Sequence, residues 1–266
     1  ISRLDNRIDI CPNHWDDHFK IFYLDEKMRS QDMEFSTICD KVRKGICDEE
    51  VESYMKQHIR QCPNENENMK YATGKLSIIV TTNEAREKIN LHLLGKLLPL
   101  KKSYSLSAKD KSTNLANPPP LSEKLPLTVT GQLQTNIVFK EGAPVMITSN
   151  HSKQKYKNNG IVNGARGYID SIQPSKDNPD VAEVIWVRFT DDKIGQLLRN
   201  DSMALLKDHT PNDALAVPIT KQKKQFKVKG NVNWLREQFP LTLCYAITSH
   251  KSQGQTLEEV IIDFSA

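Results

Sequence analysis

The sequence has little of what staples, anchors or electrostatically advertises a protein. Its five cysteines (Cys11, Cys39, Cys47, Cys62 and Cys244) are odd in number and contain no C-x-x-C pair. That excludes a disulfide scaffold and fits reduced thiols in a cytosolic or nuclear protein. Cys11 with His14, and His58 with Cys62, are zinc-ligand residue types. Both spacings are common by chance and fall in helical or turn sequence, so no metal site is expected. No apolar run is long enough to cross a bilayer, and no signal-peptide pattern opens the chain, so no membrane partner is expected. The net charge is only +4 with 26% charged residues, too small alone to announce a polyanionic partner. There is no G-x-x-x-x-G-K-[ST]; the nearest candidate, Gly74-Lys75-Leu76, lacks both the preceding glycine and the magnesium-ligating hydroxyl. Asp48-Glu49-Glu50 follows no apolar strand and instead starts a helix. Neither a phosphate cradle nor a magnesium site is therefore expected within these residues.

What is present suffices for about two domains: 266 residues, of which 38% are hydrophobic. Ile1, rather than methionine, and Ala266, directly after an apolar strand, read as cut ends. Residues 19–24 predict a short strand. A helix follows from Asp32 with Phe35, Ile38, Cys39 and Val42 on one face, basic residues in its last turn and Gly45 at its stop. Asp48 caps a second helix carrying Val51, Tyr54, Met55 and Ile59. KLSIIVTT is a strand, after which Asn83 caps a helix with Ala85, Ile89, Leu93 and Leu97 at four-residue steps, one unit of an α/β sheet. Residues 101–135 lose periodicity and read as a connection outside the core.

From Ile137 the texture changes to short strands with turn signals (APVMITSN, ARGYIDSI, VAEVIWVRF, LAVPIT, FKVKG), which suggests a small β-barrel. Trp186 and Phe189 read as its core, and Asn163-Gly164 as a tight hairpin turn, with Gly167 answering a similar backbone demand. Trp234 is placed at the junction back to the α/β domain. The lysines cluster in two runs, Lys153/Lys155/Lys157 and Lys221/Lys223/Lys224/Lys227/Lys229, which taken alone are solvated loop faces. Then α/β texture returns: LTLCYAITS as one strand, HKSQGQTL as a turn into a short helix, EVIIDF as a strand. The expected organisation is 1–136, the first part of an α/β domain; 137–233, an inserted β-module; and 234–266, the return to the α/β domain.

Chemistry concentrates in Tyr245–Leu257, YAITSHKSQGQTL. A buried strand delivers Thr248, Ser249 and His250 to its C-terminal end, where a turn into a helix presents backbone N–H groups suited to phosphates. His250 and Lys251 add donors, Gln253 can hydrogen-bond across an interface, and Gly254 permits close approach of another backbone. From the residues alone this is a polyanion site at a sheet edge.

The segment resembles motif V of superfamily 1B helicases, A-x-T-x-H-K-x-Q-G-x-T-L. The longer run LREQFPLTLCYAITSHKSQGQTLEEVIIDF is similar to Pif-type DNA helicases, including copies carried by mobile elements in animal genomes. FKEGAPVMITSN with GIVNGARGYI is similar to the family's G-x-x-V-M-x-x-x-N and N-G-x-x-G pair, and FYLDEKMRSQDMEFSTICDKVRKG to the segment holding its motif IV arginine.

The resemblance implies a RecA-like motor domain, 2A, with an SH3-like barrel, 2B, inserted at 137–233. It also implies a 5′-to-3′ helicase that moves on single-stranded DNA and duplex junctions using ATP and Mg2+, both held mainly by a covalently linked N-terminal RecA-like domain. Arg29 would contact the γ-phosphate, its plain alternative being a surface arginine beside Asp32. Thr248, His250 and Lys251 would meet DNA phosphates, and Gln253 with Gly254 would couple them to the nucleotide. Thr82 and Asn83 would hold the backbone at a second strand end, with a simple helix cap as the alternative for Asn83. Arg166 and nearby lysines would face DNA. Ser149 and Ala165 depart from the arginine and threonine common in the family. The expected compartment is the nucleus, with the mitochondrion as alternative. A non-catalytic DNA-binding fragment, or a decayed mobile-element remnant, is the competing reading.

Overall fold

Asp32 and Asp48 each start a helix by the same device in the computed structural model, which describes residues 18–20, 22, 32–59, 70–71, 75–118, 120–121, 125–207, 209–228 and 232–264. The Asp32 carboxylate accepts the Phe35 N–H at 2.9 Å, opening α1 (Met33–Arg43). Asp48 accepts the Val51 N–H at 3.1 Å, opening α2 (Glu49–His58). Lys41 near the end of α1 bridges Asp48 and Glu50. Ile38 and Val51 are buried, whereas Phe35, Val42, Met55 and Ile59 stay exposed. The apolar stripes expected on both helices are thus only partly used, because two short helices leave room for one layer of contact. These helices belong to the first of two compact units, 1–61, and all that follows belongs to the second, 62–266. Half of the strand expected over 19–24 lies outside the described residues and the described half, 19, 20 and 22, is not in a strand; Arg29, Cys11, His14 and Cys62 also lie outside them.

In the second unit β1 (Leu76–Val80) is flanked by two parallel neighbours, β12 (Ala246–Thr248) on one side and β13 (Glu259–Asp263) on the other. Its run LSIIV is buried on both faces except at Ile79, as a central parallel strand requires. α3 (Asn83–Leu97) packs over β1 and β12. Ala85, Ile89, Leu93 and Leu97 face the core as expected, but Arg86 and Asn90 are buried too. The cap is Thr82, whose Oγ1 accepts the Ala85 N–H at 3.2 Å; Asn83 is the first helical residue, not the cap.

The expected barrel is not formed among the described residues. β5 (Pro144–Ile147), β6 (Arg166–Pro174), β7 (Ala182–Phe189) and β8 (Val217–Ile219) make an antiparallel meander, and β11 (Leu241–Leu243) pairs with the free side of β5. The result is an open five-stranded sheet. Closure fails because β11, from beyond the predicted insertion, occupies the edge of β5. The FKVKG strand joins another sheet altogether: β9 (Gln222–Val228) pairs with β10 (Val232–Gln238), whose other neighbour is β3 (Lys109–Ser112). β2 (Tyr104–Ser107) pairs with β4 (Asn136–Phe139), burying Tyr104 and Leu106. Residues 101–135 therefore contribute strands and core; their alternation is only two to four residues long, too short to register as a pattern.

β7 is buried on both faces. Ile185, Val187 and Phe189 join the main core, while Val184 and Trp186 pack with Ala216, Leu205 and Leu206. Trp234 packs with Phe226 and Val232 on the β3-β10-β9 sheet. On the same sheet Arg236 is only 1% exposed. Its guanidinium makes paired bonds to the Asp110 carboxylate (2.8 and 2.7 Å) and also donates to the Leu133 carbonyl and Thr135 Oγ1 (both 3.1 Å).

Asn163-Gly164 closes a long loop between β5 and β6 rather than a two-residue hairpin, with the Ala165 N–H bonded to the Val162 carbonyl. Gly167 is glycine for a different reason from the expected one. It lies within β6, where a Cβ would sit 2.4 Å from the Arg188 carbonyl oxygen and 2.9 Å from the Phe189 Cα. Gly167→Ala is expected to cost about 2 kcal/mol of stability by forcing β6 away from β7, read from a urea unfolding curve.

Candidate nucleic-acid interface

The run LTLCYAITS, expected as one strand, is two strands in two sheets. Residues 241–243 pair antiparallel with β5, and 246–248 pair parallel with β1. The changeover at Cys244-Tyr245 is held by two side chains. Asn90 from α3 accepts the Ala246 N–H (2.8 Å) and donates to the carbonyls of Ala246 (3.0 Å) and Leu243 (3.3 Å). Arg166 donates to Ser77 Oγ (2.8 Å) and the Cys244 carbonyl (3.3 Å). Burial pushes the Cys244 thiol up from its ordinary pKa, against the opposing pull of Arg166.

Val80 and Thr248 are register partners, so β1 and β12 end side by side. Beyond those ends α3 and α6 (Ser249–Ser252) begin. Between them opens a cleft of about 1060 Å³, lined by Thr82, Asn83, Arg86, Glu87, Thr248, His250 and Lys251 and by residues 125–128, 132 and 134–136. A cleft outside the carboxyl ends of parallel strands is where open α/β sheets bind ligands. The Thr248 hydroxyl is not spent on capping α6, which leaves it to the cleft. Lys251 Nζ donates to Asn163 Oδ1 at 2.9 Å, and Gln255 Nε2 secures the Lys251 carbonyl at 2.8 Å.

The cleft is cationic at its floor. Arg86 is 9% exposed and makes no ion pair or side-chain hydrogen bond among the described residues. Burial lowers its pKa, partly offset by adjacent Glu87, and burial together with Arg86 lowers that of Lys251. Two cations, one buried and one half-buried, with Glu87 as the one carboxylate lining the cleft beside them, constitute a site short of negative charge.

Of the residues singled out from sequence, the fold gathers Thr82, Asn83, Thr248, His250 and Lys251 in this cleft. Gln253 and Gly254 follow α6, exposed and outside the cleft lining. Gly254 has φ +79, and a Cβ there would meet nothing within 4 Å, so its backbone conformation rather than close approach calls for glycine. Arg166 is turned inward onto Ser77 and Cys244 and does not line the cleft. Arg29 lies outside the described residues. Sequence reasoning missed Arg86, Asn90 and Asn163. The first two carried a signal: they fall at i and i+4 on the helix face that also holds Leu93, Leu94 and Leu97.

No family model matches the chain. It is 26% identical over 250 residues to the ATP-dependent DNA helicase Pif1 of Campylobacter jejuni, covering 94% of this chain and 49% of that protein. It is 28% identical over 242 residues to the ATP-dependent DNA helicase PIF1 of Danio rerio, covering 90% of this chain and 30% of that one. Among solved structures it resembles the Pif1 helicase of Candida albicans (TM-score 0.57, 19% identity, 87% of this chain and 48% of that one). It also resembles Pif1 of Bacteroides in complex with ADP-AlF3 and single-stranded DNA (TM-score 0.54, 20% identity, 89% and 44%). The α/β fold is thus that of the C-terminal region of Pif1 helicases, and the chain spans about half the length of the bacterial relatives it matches.

Proposed function

We propose that this chain is the C-terminal half of a 5′-to-3′ DNA helicase motor, and that the cleft between β1 and β12 grips the backbone of single-stranded DNA. The observation that carries the reading is the pair of cations, buried Arg86 and half-buried Lys251, set with one lining carboxylate, Glu87, beside the strand-end hydroxyls of Thr82 and Thr248. A phosphodiester supplies the missing charge and accepts from every one of these donors, whatever the base sequence. His250 and Asn83 extend the row.

In this reading ATP and Mg2+ are bound mainly by a covalently linked N-terminal RecA-like domain, and Arg29 reaches the γ-phosphate from this half. Gln253 and Gly254, on the turn after α6, carry the state of the nucleotide to Lys251 and Thr248. A nuclear or mitochondrial location suits such a motor. The chain contains no P-loop sequence, which favours a second reading for these 266 residues taken alone: a single-strand binder without catalysis.

Two measurements test this. In fluorescence anisotropy with labelled oligo-dT, the chain is expected to bind with an affinity that falls steeply with salt, by about 0.7 in log-log slope per phosphate held. Salt-independent or undetectable binding removes the DNA reading. In a coupled assay the same chain is expected to show no DNA-stimulated ATP hydrolysis; turnover above background would mean that the phosphate cradle is built from residues other than a P-loop.

A further inference from the structure

Arg86 lines a second cavity besides the cleft. It is a pocket of about 200 Å³ between α3, β4 and β11. Leu91, Ile137, Val138, Phe139 and Leu243 give it mostly apolar walls. Ile137, Phe139 and Leu243 are buried, whereas Leu91 is exposed. Arg86, Glu87, Gln134 and Asn136 line both cavities, so pocket and cleft adjoin across the guanidinium.

The neutral amide side chains of the pocket are engaged within the fold. Asn90 holds the backbone of residues 243 and 246. Gln134 donates to Thr242 Oγ1 at 3.0 Å, and Asn136 Oδ1 accepts the Ser107 hydroxyl at 2.9 Å. The Arg86 guanidinium has no such partner among the described residues. Glu87 is exposed to solvent and does not bond to it, since adjacent positions on a helix do not face each other. A buried cation without a partner, set at an apolar hollow, is complementary to a small molecule with an apolar body and one carboxylate. The body fills the hollow, and the planar guanidinium takes both carboxylate oxygens.

We propose that this pocket binds a small amphipathic monocarboxylate, its body against Ile137, Phe139 and Leu243 and its carboxylate paired with Arg86, and that such a ligand opposes single-stranded DNA. One guanidinium cannot satisfy a carboxylate in the pocket and a phosphate in the cleft together. Each ligand therefore weakens the other by the same factor. The opposition rests on the single-strand reading above; the pocket and its ligand class do not.

The probe is 3-phenylpropionate, titrated by NMR into the whole 266-residue chain, with its neutral amide and acetate as controls. The carboxylate is expected to bind about tenfold more tightly than the amide, the value of one charge-assisted pairing. In Arg86→Met that preference is expected to vanish. With methyl-labelled protein, the aryl protons are expected to show NOEs to Leu91 and Leu243. Saturating probe is expected to weaken oligo-dT binding about tenfold in anisotropy, while acetate at equal ionic strength leaves it unchanged. Equal binding of acid and amide, a preference that survives in Arg86→Met, or NOEs elsewhere overturn the pocket. Acetate as effective as the probe reduces the effect to anion competition in the cleft and overturns it too. A bound probe with unchanged oligo-dT affinity overturns the opposition. A chain that binds the probe but no oligo-dT at any salt concentration overturns the cleft reading and leaves the pocket standing.

Discussion

Replacing Arg86 with methionine is expected to raise the melting temperature of the chain while lowering its affinity for single-stranded DNA about 10- to 100-fold. The two effects have opposite sign for one reason. A guanidinium at 9% exposure has lost most of its hydration, and the adjacent Glu87 offsets that only in part. An unbranched thioether of similar length fills the same space on the inner face of α3 without that penalty. In the proposed complex the same guanidinium would donate to a phosphate, and a charged hydrogen bond of that kind contributes roughly 1.5–3 kcal/mol. Calorimetry and anisotropy on one preparation read both quantities. A purely structural arginine would show the reverse: lower stability, with binding unchanged. That outcome would take away the observation on which the proposed function rests.

Arg236→Ala is expected to be the most damaging single truncation in the β3-β10-β9 sheet, at about 3–5 kcal/mol. It removes a buried guanidinium that makes four hydrogen bonds to three residues and strands the Asp110 carboxylate on β3 without its ion-pair partner. The Leu133 carbonyl loses one of its two donors and keeps the Thr130 hydroxyl. Arg236→Met/Asp110→Leu, which removes both charges, is expected to recover most of the loss. Urea unfolding of the two variants separates the cost of an orphaned charge from the cost of lost volume. If the double variant were as unstable as Arg236→Ala, packing rather than charge would be the origin.

How much of this was legible beforehand depended on length and on locality. α1 and α2 were announced by Asp32 and Asp48, because a cap is a contact between residues three apart in sequence. β6 and β7 were announced as short strands set between turn signals. The strands β2 and β3 were not, since four residues with two of them buried look like any connection. The open sheet was misjudged as a barrel because sequence reveals strands but not their partners. Nothing in LTLCYAITS says that its first half leaves for β5 while its second half stays with β1. That division is written elsewhere, in Asn90 and Arg166, which lie 153 and 78 positions from the carbonyls they hold. The same distance explains the misplacement of Arg166. A basic residue in a polar loop region reads as a surface charge until its partner Ser77, 89 positions away, is in view. In the cleft, Thr248, His250 and Lys251 were found because they are contiguous; Arg86 was overlooked because a charged residue on a helix is ordinarily assigned to the solvent side.

The changeover at Cys244-Tyr245 has a kinetic consequence. A strand that belongs to two sheets is a shared rivet: neither sheet can open without pulling residues 241–248 out of the other. The parallel sheet and the five-stranded sheet should then exchange their amide hydrogens as one cooperative unit, with β12 and β5 protected to the same degree although they never touch in register.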